Sequence, residues 1–225
     1  MKDDFVSMAS HELRSPLTII RGYADILKGV SGLSDEDKKN IERIDIAAKG
    51  LDNLVADILD VSRLNQGRLS VKIQDTDIKE IVKNIAESYQ HNAEEKNLSL
   101  HIEIGDVPHI AVDPDRVRQV IVNLIGNAVK YTKKGEVAIK LFVEGKNTVL
   151  RVSDTGIGMS EEERAELFGK FYRIRNEETR DIKGTGLGLW ITKQIVEMMN
   201  GKISVESIKG VGSHFIVKFP VIEKT

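Results

Sequence analysis

The sequence predicts an α+β protein in two parts: an N-terminal helical hairpin, able to pair with a second copy as a four-helix bundle, followed by an α/β sandwich. Three observations predict it. Residues 1–66 contain a single proline and carry apolar side chains on heptad spacing. From residue 67 onward, strand-like and helix-like segments follow one another in mixed order. No apolar run approaches the ~20 residues that span a bilayer, so these segments are expected to build water-soluble cores.

In the first part, Leu13, Leu17, Ile20, Ala24 and Leu27 recur at alternating spacings of four and three. Ile41, Ile44, Ala48, Leu51, Val55 and Ile58 do the same. Such seams are the mark of packed or supercoiled helices. Between them, Gly29 and Gly32 break the first helix, and Ser34 with Asp37 three residues on reads as an N-terminal cap. One hairpin of this size has little core of its own. Two hairpins packed together would cover both seams, which predicts a homodimer.

In the second part, LSVKI from Leu69 alternates and reads as a strand, and Asp77 to about Glu95 reads as one helix. LSLHIEI and HIAV read as strands, and Asp115 to Tyr131 as a helix. EVAIKLFVE and TVLRVSD, joined by GKN, read as a β-hairpin. Leu189 to Met199 is helical, and KISVES and SHFIVKFPV close the chain as strands. This order fits helices on one face of a mixed sheet. The two domains are placed at 1–66 and 67–225.

Composition narrows the function. A formal net charge of -2 provides no basic field for nucleic acid or anionic lipid. Aromatics at 5% are too few for a base-stacking platform. Cysteine is absent, which removes disulfides and thiolate metal sites and suits a cytoplasmic location. The N-terminus lacks an apolar signal core. No nucleic acid partner is therefore expected, and no membrane contact by these residues themselves, whether or not a longer parent protein is membrane-anchored.

Four motifs carry chemistry. His11 lies in SHELRSPLT. Extending the first seam backward puts Ser10 on it, and one further residue is ~100° of rotation, so His11 flanks the bundle. Glu12 follows it, and Pro16 removes a helix hydrogen bond one turn on; a plain surface histidine fits this segment equally well. Asn123 and Asn127 are four apart in VNLIGNAVKYT and share a helix face, which Lys130 and Tyr131 extend. Amide oxygens suit Mg²⁺ and a lysine suits phosphate, whereas a solvated polar stripe is the plainer reading. Asp154, Gly156 and Gly158 lie in SDTGIGM directly after a strand. Glycines there allow close backbone approach, and a carboxylate accepts from an exocyclic amine, although Asp-Thr-Gly is also simple turn chemistry. Gly184, Gly186 and Gly188 open a helix in KGTGLGLW, where backbone amides favour phosphate. The spacing is neither the dinucleotide fingerprint nor a P-loop. The polar run RIRNEETRDIK before it reads as a mobile lid.

Taken in order, the motifs resemble those of histidine kinases. SHELRSPL resembles the phosphoacceptor box, NLIGNAVKYT the asparagine box, DTGIGM and GTGLGL the two glycine boxes, and LFGKFYRI the phenylalanine box. The resemblance covers nearly the whole chain. It implies a dimerisation and phosphotransfer hairpin followed by a Bergerat-type ATP-binding domain, with ATP and Mg²⁺ as cofactors. It implies that His11 is the phosphorylated residue and that Glu12 orients its imidazole and accepts its proton. It implies that Asn127 is the Mg²⁺ ligand, that Asn123, Lys130 and Tyr131 surround the nucleotide, and that Asp154 recognises the adenine amino group. Gly156 and Gly158 match the pocket glycines. Gly184, Thr185, Gly186, Leu187 and Gly188 match the lid and the helix after it. Arg173 matches a basic residue that reaches the γ-phosphate. Where many relatives carry threonine four residues after the histidine, this chain has Ser15, which keeps the hydroxyl tied to regulator phosphatase activity. The partner implied is the receiver domain of a response regulator.

Two rival readings differ at identifiable points. A gyrase-like or chaperone-like ATPase has no histidine-bearing hairpin in front. A non-catalytic scaffold would have lost the nucleotide motifs, which are intact here. His91, His101, His109 and His214 show no metal-ligand spacing.

Overall fold

The computed structural model describes residues 2–180, 182 and 184–221, with side chains from residue 13 onward. The chain divides into two compact units, Met1–Leu69 and Ser70–Thr225.

The first unit is a hairpin of α1 (Lys2–Lys28) and α2 (Asp35–Asn65). The second helix starts on a reciprocal capping box. Ser34 Oγ accepts from the Asp37 N–H at 3.1 Å, and the Asp37 carboxylate accepts from the Ser34 N–H at 3.2 Å. Within the hairpin the heptad seam is half consumed. Leu17, Ala24, Ile41, Ala48 and Val55 are buried, whereas Leu13, Ile20, Leu27, Ile44, Leu51 and Ile58 remain 40–47% exposed. Each set repeats every seven residues, so one ridge faces the neighbouring helix and the other faces outward.

Charged layers punctuate the α1–α2 contact. Asp52 lies 3.8 Å from Arg14 and 3.6 Å from Arg21. Near the turn, the buried Asp45 carboxylate accepts from Lys28 at 2.5 Å and Lys49 at 2.8 Å. Those two hydrogen bonds, the Lys28 one foremost, hold its pKa down to about 2.

The second unit holds two sheets. A small antiparallel pair joins β1 (Gln74–Thr76) to β3 (Ile110–Val112). The main sheet has the order β2-β4-β5-β7-β6, formed by β2 (Leu98–Ile104), β4 (Gly135–Glu144), β5 (Asn147–Asp154), β6 (Lys202–Ile208) and β7 (Gly212–Pro220). The β2–β4 pair is parallel and the remaining pairs are antiparallel. Val137, Ile139, Leu141, Leu150, Val152, Phe215, Val217 and Phe219 form the inner face of the sheet. They pack against α3 (Ile78–Ser88), α5 (Pro114–Tyr131) and α7 (Gly188–Met198). The outer face carries cross-strand ion pairs, Glu103 with Lys140 and Glu144 with Lys218. The expected mixed sheet with helices on one face is therefore present.

Two local expectations are corrected, and one short element is added. LSVKI is not a strand. Pairing begins at Gln74 opposite Val112, because the next partner position is Asp113, which starts a helix instead. The segment from Asp77 to Glu95 is two helices, α3 and α4 (Gln90–Glu95), broken at Tyr89. There the ring folds against α5, its hydroxyl donating to the Val122 carbonyl at 3.2 Å. A short helix α6 (Glu161–Glu166), capped by Ser160 and Glu163, follows DTGIGM without having been expected. Among the described residues, no helix is long and apolar enough to cross a membrane.

Candidate active site

Helix α5 is the floor of the site. Asp113 caps its N-terminus and Pro114 takes the first helical position, where a missing N–H costs nothing. Val117, Val120, Ile121, Leu124, Ile125, Ala128 and Val129 bury its apolar face. Asn123, Asn127, Lys130 and Tyr131 fall on the remaining face and are half-buried.

The two asparagines form a directed chain. Asn123 Nδ2 donates to Thr192 Oγ1 at 2.8 Å, and Asn127 Nδ2 donates to Asn123 Oδ1 at 3.4 Å. Among the described residues, this leaves the Asn127 carbonyl oxygen outside the chain, a hard donor of the kind Mg²⁺ selects. Thr192, only 2% exposed on α7, anchors the arrangement.

Cations gather at the end of the helix. Burial lowers the Lys130 pKa, and the charges of Arg173 and Lys96 lower it further. Lys96 donates to the Val129 carbonyl at 2.8 Å and the Lys130 carbonyl at 3.3 Å, closing the negative end of α5. Arg173 donates to the Ile182 carbonyl at 2.5 Å, which links the first residue of the lid run to one near its end. The half-buried Lys130, with the charge of Arg173 beside it, favours an anionic ligand.

The first glycine motif closes over this end of α5. The Ile157 N–H donates to the Tyr131 carbonyl at 3.4 Å. A Cβ on Gly156 would sit 2.6 Å from that carbonyl, and one on Gly158 would sit 1.9 Å from the Ile208 carbonyl. Only glycine fits at either position. Asp154, at the end of β5, is 7% exposed, and its Oδ1 accepts from the Gly156 N–H at 2.9 Å. Burial pushes its pKa up, and the N–H groups of Gly156 and Ser213 partly offset that shift. A buried acceptor with capacity left suits an amine donor.

The second glycine motif reaches the same face. A Cβ on Gly184 would lie 3.2 Å from Lys130 Nζ, and one on Gly188 would lie 2.7 Å from Asn123 Oδ1. Gly186, with φ +75°, stacks on the backbone of Phe171 and Tyr172. Thr185 Oγ1 accepts from the Leu187 N–H at 3.1 Å, shaping the turn into α7, and Leu187 is buried. The structure thus brings Asn123, Asn127, Lys130, Tyr131, Asp154, Arg173 and both glycine motifs around one cleft. Sequence reasoning missed Thr192 and Lys96. A lone threonine on an apolar helix was the available signal for the first, and Lys96 carried none. His11 and Glu12 lie within α1, but their side chains are outside the described residues; Ser15 is exposed on the same helix.

This cleft, in a chain whose other unit is a helical hairpin, defines a class that comparison with known proteins makes specific. Residues 112–223 match the family described as Histidine kinase-, DNA gyrase B-, and HSP90-like ATPase, and residues 1–67 match the His Kinase A (phospho-acceptor) domain. The chain belongs to the sensor histidine kinase family, of which it carries the catalytic core. It is 36% identical over 97% of its length to the circadian input-output histidine kinase CikA of Synechococcus elongatus, and covers 30% of that protein. It is 36% identical over 98% of its length to the sensor protein SrrB of Staphylococcus aureus, and covers 38% of it. The chain therefore spans about a third of the length of these curated relatives. Among solved structures, it resembles full-length ShkA in complex with AMPPNP, with a TM-score of 0.76 and 29% identity over 96% of this chain and 45% of that one. The histidine kinase AdeS of Acinetobacter baumannii gives a TM-score of 0.65 and 25% identity over 95% and 98% of the two chains.

Proposed function

We propose that this chain is an ATP-dependent protein-histidine kinase that phosphorylates His11 and passes the phosphoryl group to an aspartate of a response regulator. The observation that carries the reading is the convergence on α5. Asn123, Asn127 and Lys130 meet Gly184 and Gly188, and the buried Asp154 is joined through Gly156 to the Tyr131 end of the helix. Residues 1–66 act as the dimerisation and phosphotransfer domain and residues 67–225 as the ATP-binding domain. The outward half of the heptad seam supports a homodimer, because it leaves six large apolar side chains uncovered on a short hairpin.

In this reading Asp154 accepts from the adenine amino group. The Lys130 and Arg173 cations neutralise phosphate charge. Asn127 would hold Mg²⁺ through its carbonyl oxygen, and the metal would supply further neutralisation of the phosphates. The lid residues Thr185 and Leu187, with the glycines around them, close over the triphosphate. An unprotonated ring nitrogen of His11 attacks the γ-phosphorus as the bond to the ADP oxygen breaks. A free histidine titrates at about 6.5, so a neutral ring is accessible at pH 7. Glu12 holds the other ring N–H and takes its proton as positive charge develops. Ser15 keeps a hydroxyl near the phosphohistidine for removal of phosphate from the regulator.

Asn127→Ala tests the nucleotide side. We expect loss of Mg-ATP-dependent labelling with the hairpin dimer intact, and retained labelling would refute the assigned role. Mixing that variant with His11→Gln then reports whether one protomer serves the other.

A further inference from the structure

Asp113 does more than start α5. Its Oδ1 accepts both cap N–H groups, from Asp115 at 3.0 Å and Arg116 at 3.1 Å. Its Oδ2 accepts the backbone N–H of Lys72 at 2.7 Å, from 41 positions earlier in the chain. A helix cap requires only the first oxygen. The second ties the incoming chain to the helix that carries Asn123, Asn127 and Lys130. The carboxylate is 7% exposed. Burial pushes its pKa up, but the Lys72 N–H and the two cap N–H groups outweigh that and hold it below the usual carboxylate range.

The position of Lys72 gives this bond its meaning. On the hairpin side, Arg68 and Leu69 are still bonded to α2, both donating to the Arg63 carbonyl at 2.9 and 3.2 Å. Lys72 is the next residue fixed, and it is fixed to the second unit. Only Ser70 and Val71 lie between these two anchors. Without the Lys72 bond, the next fixed residue is Gln74, paired with Val112 in the small sheet. The free connection would then run from Ser70 to Ile73, and its maximum span would double from ~7 Å to ~14 Å.

We infer that Asp113 is a positioning residue for phosphoryl transfer, whose second carboxylate oxygen latches Lys72 and so confines the hinge between the two units to two residues. The inference rests on the kinase reading above. A short hinge keeps the nucleotide cleft at high effective concentration near the histidine-bearing hairpin. A loosened hinge leaves the cleft able to bind nucleotide but less often in register for transfer.

The test uses the full chain. Asp113→Asn keeps an N-cap of equal quality but replaces one acceptor oxygen by an amide donor, so the latch is lost while the helix start survives. Two glycines inserted between Ser70 and Val71 lengthen the hinge and leave Asp113 untouched. Lys72→Ala retains the backbone N–H and serves as control. Autophosphorylation rate, affinity for a non-hydrolysable ATP analogue and Tm are measured for each. We expect Asp113→Asn and the insertion each to slow autophosphorylation about three- to tenfold, with analogue affinity within about twofold of wild type, and the two changes combined to be less than additive. Lys72→Ala should match wild type. An Asp113→Asn or insertion variant labelled at the wild-type rate overturns the proposal. A parallel loss of rate and analogue affinity overturns it too, because Asp113 would then be only a structural cap. A wild-type chain that binds the analogue but takes no label overturns the kinase reading itself.

Discussion

Replacing Ile44 and Leu51 by alanine probes the uncovered half of the hairpin seam. Leu17, Ala24, Ile41, Ala48 and Val55 satisfy one ridge inside the hairpin, whereas Ile44 and Leu51 are 47% and 40% exposed on the other. Fully burying a Leu or Ile side chain is worth ~1.5–3 kcal/mol. The exposed fraction of each residue therefore offers roughly 0.6–1.4 kcal/mol on dimerisation, less what the alanine methyl retains. Two residues in each of two protomers give about 2–5 kcal/mol, so the dimer Kd should rise roughly 30- to 3,000-fold. Sedimentation equilibrium across a concentration series measures this directly. Ile208 and Val211, 67% and 63% exposed on the β6–β7 turn, provide the control; their double alanine variant should leave the Kd unchanged. A seam variant that dimerises like wild type would refute the reasoning, as would a monomeric wild type.

Further predictions follow from single sites. Gly158→Ala puts a Cβ 1.9 Å from the Ile208 carbonyl at φ +58°, and should cost about 2–4 kcal/mol and abolish ATP-analogue binding in thermal-shift assays. Gly210→Ala, at φ +77° but in open space, should cost only about 1 kcal/mol and leave binding intact. Asp154→Ala removes the buried acceptor and should weaken ATP about 10- to 100-fold by calorimetry; unchanged affinity would remove Asp154 from adenine recognition. Asp45 has its folded pKa lowered from 3.8 to about 2 by Lys28 and Lys49. Its contribution to hairpin stability is therefore complete above the unfolded value and lost as pH falls from about 4 toward 2. Melts followed by circular dichroism should show the hairpin weakening over that window, with a shallower decline in Asp45→Asn.

Local chemistry was readable wherever neighbours in sequence settle it. The Ser34–Asp37 capping box, the GKN hairpin and the helix through Asn127 depend on residues within four or five positions, and each stands where the pattern put it. Both seams were readable too, but not their division into an inward and an outward ridge, because that depends on how the two helices lie against each other. The misread strand at Leu69 to Ile73 has the same origin. Its alternation is genuine, yet the Lys72 N–H is taken by Asp113 from 41 residues away. Asn123 and Asn127 were placed on one face by spacing alone. What aims them is Thr192, 69 residues beyond Asn123, and no local signal marks that contact. Lys96 falls in the same category, since its role is set by where α5 ends in space.

The cleft accounts for nucleotide binding by the second unit, whereas the identity of the acceptor rests on His11 and its motif. Incubating the full chain with γ-labelled ATP and Mg²⁺, alongside His11→Gln, tests that claim most directly. The account predicts acid-labile, base-stable label on the wild type and none on His11→Gln, with analogue affinity equal in both. Wild-type levels of label on His11→Gln would contradict it.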